Sequence, residues 1–194
     1  MSVQRAISIV RELTPRQATP ADSPDVVKAA QEVLTQGLDL LIQLNDRSYS
    51  QRVAPPFQAS IGQHYRHVLE HFQSLVWGLK PGEINYDARE RNPRIENEVG
   101  YASIVTCELL GAFKRITHET LGDSCAVIVS VGYGSSSPSR LESNVGRELA
   151  YCAGHAIHHY AIIRLLCSEV GVDVPAGFGF APSTLKHMST QAAD

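Results

Sequence analysis

Several features that mark membrane, secreted or nucleic-acid-binding proteins are missing from this sequence of 194 residues. No apolar run approaches the roughly 18 residues that a membrane-spanning helix needs. The apolar stretch 6–10 is followed at once by Arg11 and Glu12, so it lacks the pattern of a signal peptide. The 17 lysines and arginines form no basic run and are outnumbered by 20 aspartates and glutamates, which argues against a nucleic-acid surface. We therefore expect a cytoplasmic protein that binds neither membrane nor nucleic acid.

Cysteine is also scarce, and its spacing is uninformative. The four cysteines, at positions 107, 125, 152 and 167, form no CxxC pair. We expect them to be reduced and mostly buried, with Cys152 a core residue rather than a nucleophile. Hydrophobic residues make up 43% of the chain and charged residues 19%, which excludes a wholly disordered protein and favours one folded domain.

Four stretches have the apolar spacing of amphipathic helices, at about residues 24–44, 60–79, 94–121 and 144–170. A β-branched run at 125–131, a Gly/Ser turn and residues 140–143 predict a β-hairpin or an ordered loop between the third and fourth helices, and we adopt the hairpin. The charged stretch 83–93 is predicted to be a loop. The sequence thus predicts a mainly all-α fold, an antiparallel four-helix bundle with a small β-hairpin insertion. Residues 1–22 are expected to form an extension, and residues 23–190 a single domain.

Histidine is the informative residue, since six of the eight fall in two tight clusters. In the fourth helix, His155 and His159 are four positions apart, so they lie about 40° apart on one face, where two imidazoles can close on one ion. His158 points about 100° away from His159. The pair lies on the flank of the apolar stripe, where residues that line a cavity between helices are expected.

The second helix carries the other cluster. His64, His67 and His71 follow i, i+3 and i+7 spacing and share one side, again beside the apolar stripe. Two helices that bring imidazoles to the edge of a core can build a site of three histidines, the pattern of a reactive metal with open positions. Periodicity alone places His64 closer to the core direction than His67, so either could be the ligand from this helix.

Two passages resemble the DinB/YfiT-like family of metal-binding four-helix bundles. They are SIGQHYRHV at residues 60–68 and GHAIHHYAI at residues 154–162, and the resemblance spans roughly residues 24–170. It implies that His67, His155 and His159 are the metal ligands. His64, His71 and His158 then surround the ligands or replace one of them.

The resemblance also implies an antiparallel bundle with a long crossover, frequently a homodimer, and one divalent ion: nickel, zinc, iron or manganese. The first hypothesis is a metalloenzyme that activates water or a thiol in a hydrolase-like reaction on a small molecule. The second is a transferase or isomerase that uses a low-molecular-weight thiol as cofactor. The third, from a different class, is a stress-associated protein that binds metal without turnover.

Four charged residues outside the histidine clusters are further candidates. Glu148 lies seven residues before His155, about 20° from it and roughly 10 Å away along the helix. It could act as a general base or orient a ligand, or it could simply stabilise the helix N-terminus. Asp87, in the loop after the second helix, is the other candidate acid or base. Arg89 and Arg91, in the same loop, could bind an anionic group of a substrate or form a solvated charge cluster.

Overall fold

The computed structural model describes residues 23–134 and 137–191, so the predicted extension at residues 1–22 lies outside the described residues. The long helices are α1 (Asp25–Leu41), α3 (Ile61–Gly78), α5 (Val99–Phe113) and α7 (Val145–Glu169). The short helices are α2 (Asp46–Ser50), α4 (Pro93–Asn97), α6 (His118–Gly122) and α8 (Pro182–Gln191). The strands are β1 (Glu83–Asn85), β2 (Ser124–Val129) and β3 (Ser139–Asn144).

The four long helices share one core. Helix α7 packs against α3 and α1, and α5 packs against the same two helices. The largest side chains between them are fully buried, among them Tyr65, Phe72 and Phe113. Burial of these apolar faces is the main force that holds the bundle together. The predicted, mainly helical bundle with a β insertion is confirmed.

The β insertion is larger than predicted. Strands β2 and β3 form the expected antiparallel hairpin, but β1 adds a third strand parallel to β2, with Ile84 opposite Val127. The prediction of a loop over residues 83–93 is therefore wrong at its start. Strand β1 has three residues and one buried side chain, Ile84, and such a run is too short to show a period of two.

The predicted helix over residues 94–121 is three helices in the structure. The first break is at Glu98, whose backbone is extended, and the N–H of Val99 donates to Asp46 Oδ1 at 2.8 Å. The second break follows Phe113, and Thr117 then caps α6 through a hydrogen bond from the Thr120 N–H. The apolar period continues across both breaks, so it conceals them. Among the described helices, none is both long and apolar enough to cross a membrane.

Candidate metal centre

The caps of α3 and α7 determine where their histidines lie. Ser60 Oγ accepts from the Gln63 N–H at 3.1 Å, and the Gln63 side chain accepts from the Ser60 N–H at 3.2 Å. This capping box begins α3 just before its histidines. Asn144 caps α7 in a similar way, accepting from the Arg147 N–H at 2.9 Å. The two helices pack side by side, which brings their histidine-bearing faces together.

Three imidazoles from these helices converge on one point. One ring nitrogen from each of His67, His155 and His159 lies within 4.8 Å of the others. The Nε2 atoms of His67 and His155 are 2.9 Å apart, and the ring centroids of His155 and His159 are 4.6 Å apart. All three side chains are half-buried. The structure therefore brings together the three residues that the resemblance implies.

The other clustered histidines surround this group. His64 Nδ1 is 2.9 Å from His159 Nδ1, so both candidates on α3 face α7. His71 is buried, with its ring centroid 4.4 Å from that of His155. Its Nδ1–H donates to the carbonyl oxygen of His67 at 2.8 Å, which leaves Nε2 unprotonated in the neutral ring. His158 is exposed and touches only the edge of the cluster, at His159.

Burial keeps these rings neutral. It lowers the pKa of His67 to about 2, with further lowering from His71 and His159. It also lowers the pKa of His159 to about 3 and that of His71 to about 4. Neutral imidazole is the form that binds metal ions. At neutral pH the cluster therefore presents lone pairs rather than positive charges.

The donor set suits a first-row divalent ion, with one obstacle. Three neutral imidazoles are typical ligands of zinc, nickel and iron and leave positions open for water or a substrate. However, Arg89 Nη1 contacts Nδ1 of His67. An ion on Nε2 of His67 requires a proton on Nδ1, and a guanidinium offers that proton no acceptor. The residues fit the ion once Arg89 leaves Nδ1.

A nearby carboxylate, that of Glu70, is an alternative partner for Arg89. Glu70 is buried, its Oε2 is 3.9 Å from Arg89 Nη1, and that oxygen has no hydrogen-bond partner within the described part of the chain. The other oxygen, Oε1, accepts from the Asn92 N–H at 2.8 Å. Arg66 is also 3.9 Å from Glu70 but bonds Glu96. A small rotation of Arg89 would therefore pair it with Glu70 and free His67.

Similar proteins were found by sequence and by fold. No family model matches the chain. The curated FK506-binding protein 5 of Rhizopus delemar is 37% identical over 108 residues, which cover 56% of this chain and 28% of that protein. The chain thus spans less than a third of the length of this relative.

Among solved structures, the DinB-like protein YjoA of Bacillus subtilis superposes with a TM-score of 0.58 at 16% identity, covering 78% of this chain and 96% of that one. The chain has the DinB-like fold. This confirms the fold that the two histidine passages predicted. A DinB-like protein of Bacillus cereus has a TM-score of 0.49 at 18% identity over 78% of this chain and 94% of that one.

In this DinB-like fold, Glu148 lies beside the histidine cluster, but its hydrogen bonds are to residues outside the cluster. It is 1% exposed and accepts three hydrogen bonds, from Tyr86 Oη at 2.9 Å, Ser143 Oγ at 2.6 Å and Arg147 Nη1 at 2.8 Å. Two tyrosine rings lie between this carboxylate and the imidazoles. The Tyr86 ring stacks on His71, and the Tyr151 ring stacks on His155.

The remaining predicted residues are placed as follows. Asp87 is exposed and accepts a hydrogen bond from Ser130 Oγ at 2.7 Å. Arg91 is exposed. The catalytic role of Asp87 and the substrate-binding role of Arg91 stay predictions. Burial raises the pKa of the Cys152 thiol to about 12, as expected of a core residue.

Sequence reasoning missed Glu70 and Tyr86, and it did not predict that the ring of Tyr151 packs on His155. Tyr151 lies four residues before His155, so the i, i+4 rule could have placed it on the same face. Glu70 lies three residues after His67 and could have been found in the same way. Tyr86 comes from the segment after β1, and nothing local to its sequence signals that it packs on His71.

Proposed function

We propose that this protein is a metal-dependent enzyme in which His67, His155 and His159 hold one divalent ion: nickel, zinc, iron or manganese. The observation that carries the proposal is the convergence of three imidazole nitrogens from two helices within 4.8 Å. When bound, such an ion lowers the pKa of a water or thiol and acts as a Lewis acid. The reaction is hydrolase-like if the activated group is water.

The surrounding residues have separate tasks in this proposal. His71 donates its Nδ1–H to the His67 carbonyl, which orients its ring beside His155. The rings of Tyr86 and Tyr151 pack on His71 and His155 and limit the access of water from that side. Arg89 would pair with Glu70 when His67 holds the ion.

A second candidate is a transferase or isomerase that uses a small thiol. Arg89 favours it, because its partly buried guanidinium lies beside the imidazoles. A carboxylate on a thiol such as glutathione could pair with this guanidinium and bring the sulfur towards the ion.

Elemental analysis of protein purified without an affinity tag tests the metal. We expect close to one divalent ion per chain in the wild type and a loss of most of it in His155→Ala. The matched control is His158→Ala, which removes an exposed neighbouring histidine and should retain the ion. Metal-free wild type that also fails to bind added zinc or nickel would overturn the proposal.

Cobalt substitution then separates the candidates. Thiolate bound to cobalt(II) produces a near-ultraviolet charge-transfer band, so glutathione added to the cobalt-loaded protein reports thiol binding directly. A band in the wild type and in His158→Ala favours the thiol-dependent enzyme. Absence of the band, together with metal-dependent hydrolysis of compounds in a panel of esters, favours the enzyme that activates water. Bound metal with neither result indicates the non-catalytic binding protein.

A further inference from the structure

A cavity lies behind Tyr86 and Tyr151, on the side of their rings away from the imidazoles. Its volume is about 360 Å³, and it lies between the sheet and the first turns of α7. None of the six clustered histidines lines it. Cavities of this size hold small organic molecules. It is therefore a site distinct from the candidate metal centre, although it shares a wall with it.

One side of this cavity is apolar. Val127 and Val129 alternate along β2, and Leu141 lies opposite Val127 on β3, so their side chains share one face of the sheet. Leu141 is 51% exposed although it is a large apolar residue. Apolar side chains left exposed together around a concavity are typical of a ligand site. This side of the cavity therefore favours a ligand with a hydrophobic body.

The charged residues at the polar end of the cavity favour a ligand of one charge. Glu148 is buried and already accepts from Tyr86, Ser143 and Arg147, so it has little capacity left for a cationic ligand. The Arg147 side chain is 65% exposed and uses one N–H on Glu148. A guanidinium has further N–H donors in a planar fork that matches a carboxylate. The other charge of the lining, Glu142, is paired with Arg140 at 3.0 Å.

The far wall connects the cavity to the metal centre. Tyr86 and Tyr151 line the cavity, and their ring centroids are 5.3 Å apart. The Tyr151 ring stacks on His155 with a centroid distance of 5.6 Å, and the Tyr86 ring on His71 at 5.3 Å. A molecule in the cavity is thus separated from the imidazoles by a single layer of aromatic rings.

We propose that this cavity binds a small carboxylic acid with a hydrophobic body, its carboxylate on Arg147 and its body against the valines of β2. The inference does not rest on the proposed function, because two aromatic rings separate a ligand in this cavity from the imidazoles. Binding itself depends only on the cavity.

The test uses 2-naphthoate as probe, with 2-naphthylmethanol and 2-naphthylmethylammonium as its neutral and cationic counterparts. Each is titrated into the full chain, and binding is followed by calorimetry and by backbone amide shifts. We expect 2-naphthoate to bind at least tenfold more tightly than either counterpart. The largest amide shifts should fall in residues 127–131, 141–143 and 147–151. Equal binding of all three probes, or shifts elsewhere, would overturn the proposal.

Four variants sharpen the result. Arg147→Met should weaken 2-naphthoate about tenfold, the loss expected for one charge-assisted contact, and Arg147→Lys should recover part of it. Leu141→Asp should abolish binding, and because Leu141 is half exposed the substitution leaves the core intact. Arg164→Met, on the exposed side of the same helix, should leave the affinity unchanged. Wild-type affinity in Arg147→Met would refute the assigned role.

The same titration in metal-free and zinc-loaded protein separates this inference from the proposed function. Binding of 2-naphthoate to a protein that takes up no metal would support the cavity assignment and refute the proposed function alone. Metal uptake without binding of 2-naphthoate would refute the cavity assignment alone.

Discussion

Two buried glutamates flank the imidazole cluster, and their surroundings differ. Glu148 is 1% exposed and has three donors within 2.9 Å. Glu70 is 2% exposed and has one close hydrogen bond, two arginines at 3.9 Å and one oxygen without a hydrogen-bond partner in the described residues. Burial removes water from each carboxylate, and hydrogen bonds from the protein replace more of this hydration at Glu148 than at Glu70.

The difference indicates separate roles. With three of its roughly four acceptor positions used, the Glu148 carboxylate joins β3, α7 and Tyr86, so Glu148 is a structural residue at the sheet–helix junction. An incompletely paired carboxylate beside the guanidinium that contacts His67 is where a bound ion would change the hydrogen bonding. We therefore expect changes at Glu148 to affect stability, and changes around Glu70 and the imidazoles to affect metal binding and the response to pH.

Acid should produce the largest effect, on the imidazole side. Because the folded pKa of His71 is about 4, below the usual 6.5, the unfolded chain binds protons first as the pH falls. The contribution of neutral His71 to the free energy of unfolding is therefore complete above about pH 6.5 and is lost as the pH falls towards 4. For His71 alone the loss is about 3 kcal/mol. Urea unfolding of metal-free protein between pH 7 and pH 4 measures it.

The slope of the free energy of unfolding against pH shows whether His71 is the source of this loss. His71→Asn should flatten it, whereas His118→Asn, at an exposed position on α6, should leave the slope unchanged. Equal slopes in the wild type and His71→Asn would contradict the assignment.

Removal of the satisfied carboxylate should give the next largest effect. Glu148→Ala leaves the buried Tyr86 hydroxyl without its carboxylate acceptor and should lower the free energy of unfolding by about 2 kcal/mol. Urea denaturation measures it, with Glu142→Ala on the exposed part of β3 as the control. If Glu148→Ala lowers the free energy of unfolding as little as Glu142→Ala does, Glu148 is not a structural residue of this junction.

Removal of the cation at His67 should change metal affinity. Arg89→Met eliminates the donor at Nδ1 and should tighten zinc binding about tenfold, the lower end of the effect of residues that contact metal-bound histidines. Competition with a chromophoric chelator measures it. Arg91→Met, at an exposed position of the same loop, should have no effect. Weaker binding in Arg89→Met would mean that Arg89 supports the ion rather than opposing it.

The smallest effect should come from a single hydroxyl at the junction. Tyr86→Phe keeps the ring on His71 and removes the hydrogen bond to Glu148, so it should cost about 1 kcal/mol. Thermal and urea unfolding measure it against Tyr133→Phe, which is exposed. Zinc affinity should not change, because the ring contact remains.

The fold was predictable to the extent that it follows local periodicity. The amphipathic pattern of α1, α3 and α7 and the β-branched run of β2 are local signals, and the predicted helices and hairpin are present. The break before α5 depends on a hydrogen bond from Val99 to Asp46, 53 positions away in the chain. Strand β1 exists because its backbone pairs with β2. Neither interaction leaves a pattern in the nearby sequence. A homodimeric state and a cytoplasmic location stay predictions.

The sequence by itself determined which helix faces carry imidazoles, because the 3.6-residue turn places His155 with His159 and His64 with His67 and His71. Only the tertiary structure decided which nitrogens meet, that Arg89 occupies Nδ1 of His67, and that Glu148 serves the sheet junction rather than the cluster. The physical reason is that helical periodicity sets directions around one axis. The relative rotation and height of two helices depend on packing between residues far apart in the chain.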